Sequence, residues 1–317
     1  MPEPKIVTEM YGGRVTCTFD PTPHNYHFRV HGHVERLLQP SVTAILGQKA
    51  KPQLIPWAAK RSLLYVSNLL SRYESTAGKP PFFLDTKKIH AWIAEAADSW
   101  NDDESATTIG TVAHRFAFEE LRYRAGLSAH RPKLPIVHDP VLMPNFTPRM
   151  VEGANASAAE TLEFFRMHDL RPVILERPLW APAEGFCGTP DFVGYIDGEL
   201  CVADYKTSKR IYADYWAQLA ALQHMYQLEF PEHVILKRYA INIPKDGKAL
   251  QVMKRGNDSL SSDLEMFRAC NVLYNWDRAN DDFKKGSPIQ ILGDLDQLVT
   301  APVLAQTAPE DDGYNPY

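Results

Sequence analysis

The chain has only four cysteines in 317 residues, and no two of them form a Cys-x-x-Cys pair. Cys17, Cys187, Cys201 and Cys270 are widely spaced, which argues against a zinc ribbon or a redox dithiol and for isolated buried thiols in a reducing compartment. No apolar run approaches the roughly 18 residues that would suggest a membrane span. The start, Met1-Pro2-Glu3-Pro4-Lys5, lacks the basic-then-apolar pattern of a secretory leader and is not an Arg-rich transit sequence. A cytoplasmic protein with no membrane association is expected. Excess positive charge is missing too: 34 Lys and Arg stand against 39 Asp and Glu, for a net charge of −5. A nucleic-acid ligand would have to be held by a local basic groove rather than by the field of the whole chain.

Hydrophobic residues make up 44% and charged residues 23%, the balance of a globular chain long enough to bury a sizeable core. Val15, Cys17 and Phe19 alternate with Thr16 and Thr18, so residues 13–38 read as short strands, with a hairpin turn at His31-Gly32. Ser41 is a candidate N-cap for a following helical segment. An amphipathic helix is expected over 53–72, around Leu54, Trp57, Leu64 and Leu69, and another after Asp85. Helices over 105–124 and about 150–168 flank a Pro- and His-rich loop. Three strands follow, at 173–179, 191–196 and 199–205, then a helix over 212–229 and a strand over 234–243. An edge strand at 249–254 and a helix over 258–284 complete the pattern. The expected division is an N-terminal β-hairpin and helical elaboration over 1–104, an α/β core over 105–307 and a disordered tail over 308–317.

Chemistry concentrates in Gly188-Thr189-Pro190-Asp191 and Asp204-Tyr205-Lys206. Residues two apart on a strand share a face, so Asp204 and Lys206 project together. If the strands pair through an Asp197-Gly198 turn, the register sets Asp191 opposite Asp204. Two adjacent carboxylates repel unless a cation lies between them, and Mg²⁺ or Mn²⁺ takes such oxygen ligands. Lysine beside such a pair can stabilise anionic charge on a phosphate. Asp-x-Lys alone is a cheap pattern, since Asp85-Thr86-Lys87, Asp246-Gly247-Lys248 and Asp282-Phe283-Lys284 also match; those three lack the strand context.

With these motifs the chain resembles the PD-(D/E)XK nuclease superfamily, and within it the RecB-like branch of phage exonucleases, Cas4 proteins and the mitochondrial genome maintenance exonuclease. Gly110-Thr111-Val112-Ala113-His114, Glu176, the two central motifs and Gln218-Leu219-Ala220 carry the likeness, which covers roughly 110–230; Pro40-Ser41-Val42-Thr43 and Trp57 add a softer signal. The resemblance implies a restriction-endonuclease-like core, with a mixed central sheet flanked by helices. It implies Mg²⁺ or Mn²⁺ held by His114, Asp191, Asp204 and the backbone carbonyl of Tyr205. Lys206 would be the catalytic lysine, and Gln218 would orient it or the scissile phosphate. The implied activity is a DNA exonuclease on single strands or duplex ends in recombination or repair, plausibly phage-derived and acting with a recombination partner protein. A structure- or site-specific endonuclease and a catalytically silent DNA-binding module are the alternatives.

Two features depart from the branch. Many relatives place a tyrosine four positions after the glutamine, where this chain has Leu222; Tyr226, one turn later, is the candidate replacement for an aromatic DNA contact. The cysteines do not fit the iron–sulfur arrangement of Cas4, so no cluster is expected. Glu176 reads either as a ligand to a second metal or as an exposed strand residue, and one or both of Glu119 and Glu120 as a solvated helix face. His24, His27, His31 and His33 have no usual zinc spacing and read as hairpin residues. Lys49, Lys51, Lys60 and Arg61 form either a phosphate-tracking patch or a solvated face, and Lys209 and Arg210 are placed to meet phosphate.

Overall fold

The computed structural model describes residues 5–49 other than 22, 23, 34 and 35, residues 63, 65–67 and 69–71, residues 105–136, and residues 147–280 other than 209 and 244–248. Most of the expected helix over 53–72, including Leu54, Trp57 and Leu64, lies outside the described residues, as do the helix after Asp85, residues Lys51, Lys60, Arg61 and Lys209, and the tail. The part of 63–71 that is described is helical.

An antiparallel sheet in sequence order opens the chain: β1 (Ile6–Met10), β2 (Val15–Asp20), β3 (Asn25–Val30) and β4 (Arg36–Gln39). Alternation in β2 and β3 turns Val15, Cys17, Tyr26, Phe28 and Val30 inward. Ser41 caps α1 (Val42–Leu46), its Oγ accepting the Ala44 N–H at 3.1 Å. Two long helices follow, α2 (Ser105–Arg124) and α3 (Pro148–Met167). Proline at the first position of α3 and the Thr147 side chain accepting the Met150 N–H define its start.

The second sheet has the order β11-β10-β9-β8-β5, formed by β5 (Leu170–Leu175), β8 (Phe192–Ile196), β9 (Glu199–Lys206), β10 (Lys237–Asn242) and β11 (Gln251–Arg255). Only β9 and β10 run parallel, because α4 (Asp214–Glu229) crosses between them; the other pairs are antiparallel, so the sheet is mixed. Helices cover both faces. Leu200 and Val202 of β9 join α1, α4 and α5 (Leu260–Asn280) in one apolar cluster, while Cys201, Ala203 and Tyr205 join α2 and α3 in another. This two-sided burial explains why β9 reads as an unbroken apolar run until Asp204. None of the described helices is long and apolar enough to cross a membrane.

Two expectations are corrected here. The strand read over 173–179 is two strands, β5 and β6 (Leu179–Ala181), interrupted where Glu176 adopts a left-handed φ of 45°. A short strand that runs into the first of the two aspartate motifs, β7 (Phe186–Gly188), pairs with β6. Gly188 is there for room: a Cβ would lie 3.1 Å from both Leu222 of α4 and Val42 of α1.

The N-terminal sheet shares its core with the rest of the chain. Phe28 stacks on Trp180 at 4.6 Å, and Trp180 and Cys187 complete the cluster of β1–β4. The Tyr11 hydroxyl donates to the Trp180 carbonyl at 2.5 Å, and the Cys187 N–H donates to the Pro40 carbonyl at 3.0 Å. Arg177 pairs with Glu229 and donates to the Glu9 carbonyl at 2.8 Å, joining β1 to α4.

Candidate active site

Asp197, with φ of 50°, and Gly198, with φ of 86°, turn the chain between β8 and β9, as a two-residue hairpin with both central residues left-handed requires. Pairing runs from Ile196–Glu199 to Phe192–Ala203. One step further along this register, Asp191 stands opposite Asp204 and its Oδ2 accepts the Tyr205 N–H at 2.7 Å. Where the β8 ladder ends, then, an aspartate carboxylate takes the place of a strand neighbour. A residue's N–H and carbonyl point to the same side of a strand, so the Tyr205 carbonyl is directed toward the Asp191 side as well.

Asp204 and Lys206 lie on the α4 face of β9. The Asp204 Oδ2 is paired with the Lys206 ammonium. Gln218, on the second turn of α4, spans the pair: its Nε2 donates to Asp204 Oδ1 at 3.0 Å and its Oε1 accepts from Lys206 Nζ at 3.0 Å. Lys206 also sits 4.9 Å from the centre of the Tyr215 ring. Tyr215 precedes Gln218 by three residues on the same helix face and was findable by that spacing; the motifs had not drawn attention to it. His114 reaches the group from α2, its Nδ1 3.5 Å from Asp191 Oδ2.

The charges are coupled. Burial and the charge of Asp204 push the Asp191 carboxyl up to about 6, against the opposing pull of His114, Lys206 and the Tyr205 N–H. Burial opposes charge on Lys206, but Asp204 and Asp191 outweigh it and hold the ammonium above the usual lysine value. Glu176, just past β5, is pushed up to about 7 by burial and by the charges of Asp191 and Glu119. It is exposed at the pocket wall, in the bend just past the strand rather than within it.

These side chains open into a pocket of about 320 Å³ lined by His114, Glu176, Asp191, Asp204, Lys206 and Gln218 on one part of its wall. Ser41, Val42 and Thr43 of the α1 start line it as well. Further lining comes from Ile6, Phe19, His24 and Tyr26 of the N-terminal sheet, which sequence patterning had assigned to an elaboration outside the core. The Tyr26 hydroxyl is 3.0 Å from Thr189 Oγ1, two residues before Asp191.

Other candidates lie elsewhere. Tyr226 is fully buried, its hydroxyl 2.7 Å from His233 Nδ1 and its ring stacked on that histidine, so it offers no DNA contact; Leu222 lines the pocket in the place one turn earlier. Glu120 is buried too, held by Arg124 at 2.8 Å and Arg131 at 2.9 Å, and is not a solvated helix residue. Of the N-terminal histidines, His24 reaches the pocket and His31 lies 3.0 Å from Thr16 Oγ1 on β2. Arg210 is exposed and packs over Tyr212. All four cysteines are buried in apolar clusters, and burial pushes Cys17 and Cys201 up to about 12, which keeps them neutral thiols.

Among the described residues, no group of three or more His, Cys, Asp or Glu side chains is placed to hold a metal ion. The groups that come nearest are the Asp191 and Asp204 carboxylates and the His114 imidazole, beside the Tyr205 backbone. That oxygen-rich, open set suits a small hard cation that keeps several waters and takes one or two carboxylates. Burial first and the charge of Asp204 second raise the Asp191 carboxyl, and a cation would offset the second of these. Compared with models of protein families and with curated proteins, the chain matches none.

Proposed function

We propose that this pocket belongs to a divalent-cation-dependent DNA nuclease of the PD-(D/E)XK kind, acting as an exonuclease on single strands or duplex ends. One observation carries the reading: Asp191, Asp204 and Lys206, with Gln218 and His114, meet at the open end of a single β-hairpin. The mixed sheet with helices on both faces supports a restriction-endonuclease-like core, because such a core presents its carboxylates at the end of a central hairpin. Asp191, Asp204, His114 and the Tyr205 carbonyl would hold Mg²⁺ or Mn²⁺, which would supply positive charge against the phosphate and lower the pKa of a bound water.

The protein's own groups do the remainder. Lys206 stays charged beside its two carboxylates and stabilises negative charge as it builds on the phosphate oxygens. Gln218 fixes the ammonium in one place by accepting from it while donating to Asp204. Asp191 is set by the Tyr205 N–H, so its free lone pairs are aimed without side-chain freedom to lose. In this reading the protein works in the cytoplasm, in DNA recombination or repair, with DNA and a recombination protein as its partners.

End-labelled DNA tests the assignment. Linear single strand, linear duplex and closed circular DNA are incubated with Mg²⁺, Mn²⁺ or EDTA, beside Lys206→Ala. Metal-dependent loss of linear DNA alone, absent in the variant, is expected. Cutting of the closed circle would make it an endonuclease, and binding without cutting under every condition would leave a silent DNA-binding module.

A further inference from the structure

The wall of the pocket contributed by the N-terminal sheet is aromatic. Phe19 stacks on Tyr26 with centroids 4.5 Å apart and planes 27° from parallel, and His24 meets both rings edge-on, at 5.0 Å and 5.5 Å. The three differ in burial. Tyr26 belongs to the core and is anchored by its hydroxyl contact with Thr189. Phe19 is half-buried and His24 is exposed, on a left-handed backbone with φ of 64° that non-glycine residues seldom adopt. The inward-facing stripe of β2 and β3 thus runs beyond the core it packs and ends with rings lining the pocket. Core packing accounts for Tyr26; it does not account for an exposed histidine held over two stacked rings beside a carboxylate centre.

We propose that Phe19 and His24, backed by the buried Tyr26, form a stacking platform for one unpaired nucleobase, which makes a single-stranded DNA end the substrate of this pocket. The inference rests on the nuclease reading of the same pocket and deepens it. An aromatic face takes any base, because every base has a π-face, and the contact needs the base free of its partner. Thr189, which holds Tyr26, is two residues from Asp191, at most about 7 Å along the chain. That separation matches a nucleotide with its base on the rings and its phosphate at the carboxylates and Lys206. A volume of about 320 Å³ is at the small end for ligand pockets and admits one nucleotide rather than a base pair. Ile6, nearly half exposed at 46%, and Leu222 add apolar surface for the base edge and sugar.

The test uses the full chain and a single strand carrying 2-aminopurine at one terminus or the other, in Ca²⁺ and in EDTA, so that binding is read without cleavage. Stacking quenches the fluorescence of this base. The expected result is quenching at one terminus and roughly tenfold weaker binding for Phe19→Leu, which keeps the apolar packing but loses the ring face. Phe19→Trp restores both. His24→Asn, which tolerates the left-handed backbone, weakens binding in the same direction. Quenching that is absent, or unchanged in Phe19→Leu, overturns the platform. Mg²⁺-dependent cleavage by the same preparations is scored separately. Cleavage without ring-dependent quenching removes the platform and leaves the nuclease, while ring-dependent quenching without cleavage keeps the platform and removes the nuclease.

Discussion

The Asp191 carboxylate accepts the Tyr205 N–H at 2.7 Å, so one side chain both ends a β-ladder and faces the pocket. The two roles separate by substitution. Asp191→Asn keeps an oxygen to accept the N–H and is expected to melt close to the parent protein, while cleavage falls by more than about 100-fold, beyond the usual effect of an outer-shell partner. Asp191→Ala leaves the N–H unpaired and is expected to lose about 1–3 kcal/mol of stability in addition. Thermal melts beside the end-labelled digestion check both. An active Asp191→Asn enzyme would remove Asp191 from the chemistry.

Gln218 touches Lys206 and Asp204 at once, and its amide cannot be reversed without setting donor against donor. Gln218→Leu keeps the side-chain volume and the helix but leaves the ammonium held by Asp204 without the amide that fixes it. A loss of about 10–100-fold in kcat is expected, with DNA binding within a few-fold of the parent. Single-turnover cleavage and a binding titration distinguish this from a plain loss of affinity, which would show in the titration.

Glu176, raised to about 7, binds its proton more tightly in the folded protein than in the unfolded chain. Between the ordinary glutamate value of 4.5 and about 7 the folded state holds the extra proton, so stability in EDTA falls as pH rises through this window. Above it the burial of the charged carboxylate costs about 1–2 kcal/mol once solvent screening is allowed for. Glu176→Gln is expected to flatten this part of the profile and to raise the melting temperature at pH 8. Melts across the window, in EDTA and then in Mg²⁺, test it; a variant profile parallel to that of the parent would show that Glu176 carries none of the dependence.

Glu184 behaves in the opposite sense. Burial would raise its carboxyl, but hydrogen bonds from His224 and Arg268 outweigh burial and hold it down at about 2. Arg268 Nε lies 2.7 Å from Glu184 Oε2, and the cluster ties the β6–β7 turn to α4 and α5. This contribution is complete above the ordinary value of 4.5 and is lost as pH falls toward 2. Glu184→Gln is expected to cost about 1 kcal/mol at neutral pH and to soften the acid limb below 4.5, with cleavage unchanged. Urea titrations at several pH values measure it.

Much of the second sheet was legible because its signals are local. A left-handed Asp-Gly turn and a period of two are enough to set Asp191 opposite Asp204, and the spacing of Gln218 on a continuous helix brings it back over the strand it follows. The limits of α2 and the Ser41 cap were equally local. What escaped depends on distant partners. The break at Glu176 is a backbone conformation that no neighbouring glycine announces. Tyr226 sits one turn beyond a pocket residue, yet tertiary packing closes over it. Nothing in β2 or β3 reveals that Phe19 and Tyr26 reach a site whose aspartates lie more than 160 residues later, as the separation of 163 between Tyr26 and Thr189 shows.

Such separations also set a timetable for synthesis. Tyr11 and Trp180 are 169 residues apart, so the first sheet leaves the ribosome roughly ten to thirty seconds before the tryptophan that covers it. During that interval Val15, Cys17, Phe28 and Val30 lack the Trp180 and Cys187 side chains that complete their cluster. The core of the first sheet is therefore completed late in synthesis, after Trp180 and Cys187 have emerged.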